Sequence, residues 1–167
     1  MSKTILTALF AQKSWANGEL FEVLSTASPS THAGPVQTAL RLLNHLFVVD
    51  RIFRAHLLGE KHGYAATNTT ATPELGALKF AVAETDLWFE DYVAGISNAS
   101  LAESVVFQFT DGDTGRMTRE EMLTHVITHG AYHRGNVGQV LKGIEITPPR
   151  DLFTKFLHLR EPARRQA

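Results

Sequence analysis

The residues best suited to chemistry lie in one short stretch, HVITHGAYHRGN, from His125 to Asn136. There His125, His129 and His133 follow one another at intervals of four, and the chain has 8 histidines in all. A neutral imidazole offers one nitrogen lone pair, and on a helix residues i and i+4 share a face, so two such rings can reach the same cation. For an arbitrary helix the plainer reading of His-x-x-x-His is a partly exposed pair. What argues against that here is the seam on which the pair falls. In this segment Met122, Val126, His129, His133, Asn136 and Val140 recur at the steps of three and four that mark a buried stripe. A second segment carries Leu42, His45, Val49, Ile52 and His56 at the same steps. A third, with Leu75, Leu78, Val82, Thr85, Phe89, Tyr92 and Ile96, shows an ordinary seam. His45, His129 and His133 thus stand where leucine would be the default. A buried imidazole left without partners costs about 1–3 kcal/mol, which makes three of them a poor way to fill a core and a reasonable way to hold a metal.

Three neutral nitrogens leave coordination positions open, as in reactive sites, whereas structural zinc sites are usually closed by four protein ligands. The pattern is not that of a zincin, because HVITH has no glutamate after its first histidine. Nor is it a ferritin-like di-iron site, since the second segment holds no carboxylate before Asp50. Between His125 and His133 the helical face drifts by about 80°, so His125 is expected beside the ion or partly exposed. Asp50 lies in the seam Leu43, Leu46, Asp50, Phe53, Leu57 and is expected to anchor Arg134, orient a ligand or serve a structural ion pair. Trp15 and Tyr132 are candidates to line the pocket, against a default of core packing. His56 is placed at the far end of its helix, and His32, His62 and His158 at the surface. No residue is singled out as catalytic.

Four long helical segments must position these groups. The first spans about Thr4 to Leu24. The second begins after Gly34-Pro35 and stops at Leu58, before Gly59. The third starts at Thr72-Pro73 and runs to Ile96. The fourth starts at Thr118, which has capping-box spacing to Glu121, and runs to Leu141, with Gly143 beyond. Between the last two, Val105 to Phe109 and the turn-rich Asp111 to Gly115 read as a short β-hairpin or an extended loop. The stretch from His62 to Thr72 reads as an exposed loop. ITPPRDLFTKFLHL predicts a turn and a short closing helix. The fold class expected is all-α, a four-helix bundle forming one domain over residues 1–167.

Composition narrows the function. A chain of 167 residues with 44% hydrophobic and 20% charged residues suits one soluble core. Its net charge of -1 offers no concentrated basic surface, so neither nucleic acid nor an acidic membrane is expected as a partner. Cysteine is absent, which excludes disulfides, thiolate ligands and a cysteine nucleophile; any reacting thiol must come from a substrate. The run ILTALFA after Lys3 is cut short by Gln12 and Lys13, so it does not read as a signal peptide, and no run is long enough to span a membrane. A cytoplasmic location is expected.

Four stretches together resemble the DinB/YfiT-like family of metal-dependent proteins. QKSWANGEL (12–20) is similar to the first-helix signature and LLNHLFVVDRIF (42–53) to the second-helix segment with the first ligand. HVITHGAYHRGN is similar to the fourth-helix motif, and TPPRDLFTKFL to the closing segment. The resemblance implies an up-down-down-up bundle, one divalent ion held by His45, His129 and His133, and a homodimer. Asn136 is a departure, since members commonly carry glutamine there. Some members are thiol-dependent S-transferases or isomerases, which implies a metal-dependent thiol S-transferase, or a hydrolase, with a small-molecule thiol or electrophile as partner. The alternative is a non-catalytic metal-binding stress-response or protein-interaction module. Imidazole suits zinc, nickel, copper and iron, with zinc or nickel expected here.

Overall fold

The computed structural model describes residues 2–165. Four long helices dominate it: α1 (Lys3–Ser25), α2 (Pro29–Leu58), α3 (Leu75–Gly95) and, after two strands, α5 (Arg119–Lys142). Shorter elements are α4 (Asn98–Leu101), the strands β1 (Ser104–Gln108) and β2 (Thr114–Thr118), α6 (Phe153–Arg160) and a 3-10 turn at Pro162–Arg164. The expected hairpin is present as an antiparallel pair, with Val105 opposite Met117 and Phe107 opposite Gly115.

Helix boundaries follow the local chemistry. Thr118 caps α5 as its spacing predicts: its hydroxyl accepts from the Glu121 N–H at 3.2 Å, and the Glu121 carboxylate accepts from the Thr118 N–H at 2.7 Å. Gly59 ends α2 in the left-handed conformation, φ 70°, which costs glycine nothing. Two starts differ from expectation. The helical turns of α2 begin at Pro29, before Gly34-Pro35, but His32 leaves helical geometry (φ -127°, ψ 37°) because Pro35 has no N–H to complete the ladder. The third helix begins at Leu75, later than expected. The Thr72 hydroxyl accepts from Gln37 Nε2 at 2.7 Å, tying the loop to α2 instead of capping α3. The short α4, capped by Ser97, was not expected.

Around the axis α1 packs on α3 and α5, and α2 packs on α5 and α3. Their apolar seams form two separate cores. One gathers Leu6 and Phe10 of α1 with Val49, Phe53 and Leu57 of α2, Phe89 and Val93 of α3, Phe107, and Met122 and Val126 of α5. The other gathers Leu20 and Leu24 of α1 with Val36, Leu40 and Leu43 of α2, Leu78 and Val82 of α3, and Val137 and Leu141 of α5. Between them each long helix contributes buried polar residues: Lys13 and Asn17, Asn44 and Asp50, Thr85 and Asp86, and Arg134. The histidine pair of α5 falls in this middle layer. No helix among the described residues is long and apolar enough to cross a membrane.

Candidate metal centre

His45 projects from the middle of α2 and His129 and His133 from successive turns of α5, the helix packed against it. Each offers a ring nitrogen, and these three atoms lie within 4.8 Å of one another. Nε2 of His45 and Nε2 of His129 are 3.1 Å apart. Two nitrogens bound at about 2.05 Å to a tetrahedral zinc would stand about 3.3 Å apart, so this pair needs little movement to share an ion. The ring centroids stand 5.0 Å apart for His45 and His129, 4.6 Å for His45 and His133, and 4.4 Å for His129 and His133.

The surroundings favour neutral imidazole, the form that binds a cation. Burial, then the neighbouring His133, His45, His125 and Lys13, push His129 down to about 3. Burial and His45 hold His133 below its ordinary value. His45 is oriented from outside: its Nδ1 lies 2.7 Å from the carbonyl of Thr67, which can only accept. The proton therefore sits on Nδ1 and the lone pair of Nε2 faces the cluster. Thr67 is held by a stapled loop. Asn68 Nδ2 donates to the Arg41 carbonyl at 3.0 Å, Arg41 Nη1 donates to the Thr69 carbonyl at 2.5 Å, and Asn44 Nδ2 donates to Thr69 Oγ1 at 2.7 Å. Nδ1 of His129 and Nδ1 of His133 are buried without any hydrogen-bond partner. A converging donor set that is all nitrogen and neutral fits a borderline divalent ion.

The remaining sequence candidates separate. His125 stacks on His129 at 5.3 Å and on Phe53 at 4.5 Å, beside the cluster and outside its three-nitrogen set. Tyr132 is 66% exposed, its ring 5.0 Å from His133, so it stands at the margin. Asn136 is half-buried one turn further along. Trp15 is half-buried, outside both apolar cores, and packs against Phe156 of α6 at 5.8 Å with the Lys155 ammonium over its ring. His56 is buried between Phe107, 4.7 Å away, and His62, 5.4 Å away. His32, His62 and His158 are half-buried rather than freely exposed.

Of the roles expected for Asp50, the structure shows the structural ion pair: its carboxylate pairs with Lys13 at 2.7 Å and makes no bond to Arg134. Lys13 also donates to Asp86, whose second oxygen accepts from Asn17 at 2.8 Å. Arg134 instead donates to Asp151 at 2.7 Å and to Asn17 at 3.3 Å, and Gln12 also donates to Asp151. One buried ammonium serves two carboxylates, so the surplus negative charge is hard to keep. Burial pushes Asp50 up to about 6 despite Lys13, while the two carboxylates hold Lys13 above its ordinary value. Lys13 and Asp86 were not anticipated. The signal was present in α1, where Leu6, Phe10, Lys13, Asn17, Leu20 and Leu24 form one buried seam with a lysine and an amide at its centre.

A model of the DinB family matches residues 1–165. A search of curated proteins found no match to the chain.

Proposed function

The chain belongs to the DinB family, and we propose that it is a divalent-metal-binding protein whose ion is held by His45, His129 and His133 with a position left open for a substrate. The observation that carries this reading is the convergence of three ring nitrogens, from two packed helices, to within 4.8 Å. Zinc or nickel suits the donor set best. We read the activity as a metal-dependent transfer of a small-molecule thiol to an electrophile, or hydrolysis. When bound, the ion supplies Lewis acidity that lowers the pKa of a thiol or water beside it.

The protein's own groups do the rest. The Thr67 carbonyl fixes the tautomer and angle of His45, and the i, i+4 spacing on α5 aligns the other two rings. Low proton affinity at His129 and His133 keeps their lone pairs available near neutral pH. His125, stacked on His129, shields that ring on one side. The up-down-down-up bundle is supported by the cores, in which the first half of α1 meets the second halves of α2 and α3 and the first half of α5. A homodimer and a cytoplasmic location complete the proposal.

The experiment is elemental analysis of the untagged protein and of His45→Ala, His129→Ala, His133→Ala and His62→Ala, followed by a thiol-plus-electrophile screen. Severe metal loss in the first three variants alone is expected. Full occupancy in His45→Ala would remove α2 from the site, and metal binding without turnover across the screen would leave a non-catalytic metal-binding module.

A further inference from the structure

A cavity of about 400 Å³ lies between the histidine cluster and the β-hairpin, within the range of about 300–1,000 Å³ usual for small-molecule sites. His45 and His129 line one part of it. Val49, Ile52 and Phe53 of α2 and Phe107, Phe109 and Met117 of the hairpin form most of the remainder. No lysine, arginine, aspartate or glutamate lines it; its other polar members are threonines and further histidines. The contrast with a second cavity of about 450 Å³, between α1 and α5, is informative. That one holds Gln12, Arg134 and Asp151, already bonded to one another, and no histidine.

The hairpin wall is built rather than incidental. A Cβ placed on Gly115 would come within 2.7 Å of the Phe109 ring and 2.8 Å of the Phe107 ring. Glycine at this position lets both phenyl groups fold across β2, and they meet each other at 4.9 Å. Phe107 in turn packs on His56 at 4.7 Å, and Phe53 on His125 at 4.5 Å. The result is an aromatic chamber that adjoins two of the three metal-ligand candidates. Away from the histidine end, a charged group would lose its hydration with no charged side chain to meet, whereas an apolar group would lose only unfavourable contact with water.

We propose that this cavity receives the uncharged aryl or alkyl body of a substrate whose reacting end lies at the three histidines. The proposal rests on the metal-site reading for the reacting end, and it assigns the apolar reactant, not a polar or charged one, to the hairpin side. Two fluorescent probes test it on chelator-treated protein, without any turnover: neutral N-phenyl-1-naphthylamine and 1-anilinonaphthalene-8-sulfonate, which shares its skeleton and adds one negative charge. Saturable binding of the neutral probe is expected, with the sulfonate weaker by at least about tenfold. Thr110→Glu places a carboxylate in the lining and should weaken the neutral probe by a similar factor while metal content stays unchanged. Phe109→Ala removes part of a wall residue that is already 47% exposed, so the fold should survive, and it too should weaken the probe. Equal or tighter binding of the sulfonate, no saturable binding of the neutral probe, or indifference to both variants would overturn the proposal. Metal analysis of the same samples before chelation separates the two readings, since loss of the metal reading leaves the probe selectivity to be judged by itself.

Discussion

Lys13 and Asp50 form an ion pair of 2.7 Å in the middle of the molecule, with side chains only 1% and 2% exposed. Removing one partner of such a pair leaves a charge with neither water nor counter-ion, at a cost of about 3–5 kcal/mol. Lys13→Ala is therefore expected to lower the urea midpoint strongly, because it strands both Asp50 and Asp86. Adding Asp50→Asn and Asp86→Asn to Lys13→Met should recover much of the loss. A Lys13→Ala variant as stable as the parent would show that the pair does not form in solution.

Bound metal should stabilise the folded state by mass action, by about 2.7 kcal/mol when free ion is a hundredfold above Kd. For a domain of this size that corresponds to a rise in Tm of roughly 5–10 °C. Chelation should reverse the rise without unfolding the protein at room temperature, because two apolar cores lie on either side of the site. Differential scanning calorimetry with and without chelator decides it; unfolding by chelator alone would mark a structural ion.

Acidification should destabilise the metal-free protein. Burial depresses His56, His125, His129 and His133, so near and below pH 6.5 the unfolded chain binds protons that the folded chain refuses. Stability then rises with pH through this window and is lost as pH falls from about 6.5 toward 3. Asp50 works the other way: its folded value, raised to about 6, lets the folded chain gain a proton before the unfolded chain does. Four imidazoles outweigh one carboxyl. Urea midpoints measured from pH 8 to pH 5 should fall, less so in His129→Gln and more so in Asp50→Asn. A midpoint that rises on acidification would contradict the burial of these rings.

The loop that aims His45 is open to a subtler test. Asn68→Ala removes the 3.0 Å bond to the Arg41 carbonyl and loosens the Thr67 carbonyl without touching a metal ligand candidate. Groups that orient ligands typically contribute 10–100-fold in metal affinity, so a weakening of about tenfold is expected, with Tm of the metal-free form little changed. Competition with a metallochromic indicator measures it. Unaltered affinity would mean that helix packing by itself sets the ring.

Much of this was legible in the residues, for identifiable reasons. Thr118 and Glu121 announce a helix start because the capping box is local chemistry, and Val105 to Phe109 announce a strand because β-branched and aromatic residues cluster there. His45, His129 and His133 stand out because imidazoles interrupt apolar seams, and seams survive in one dimension. Three things did not show. Thr72 is a plausible cap whose hydroxyl is taken by Gln37, a partner 35 residues away. The link from Asp50 to Lys13 rather than to Arg134 runs across the axis, from α2 to a helix on which it scarcely packs, although α2 packs closely on the helix that carries Arg134. The apolar chamber is closed by a hairpin whose ring placement depends on Gly115 opposite Phe107. No seam pattern encodes such a cross-strand fit.

The buried polar layer also governs the axial register of the helices. Apolar seams are nearly degenerate under translation, since leucine meets leucine again after a slip of one turn, about 5.4 Å. Lys13 has no such freedom. A one-turn shift of α1 would carry its ammonium away from Asp50 and Asp86 and into the side chains of one of the flanking cores. On the other side of the same layer, Arg134 ties α5 to Asn17 of α1. α2 and α5 are thus each indexed to α1 by a charged group, and only one longitudinal setting satisfies both. The histidine cluster tolerates no such slip, because His45 and His129 lie on those two indexed helices with nitrogens 3.1 Å apart.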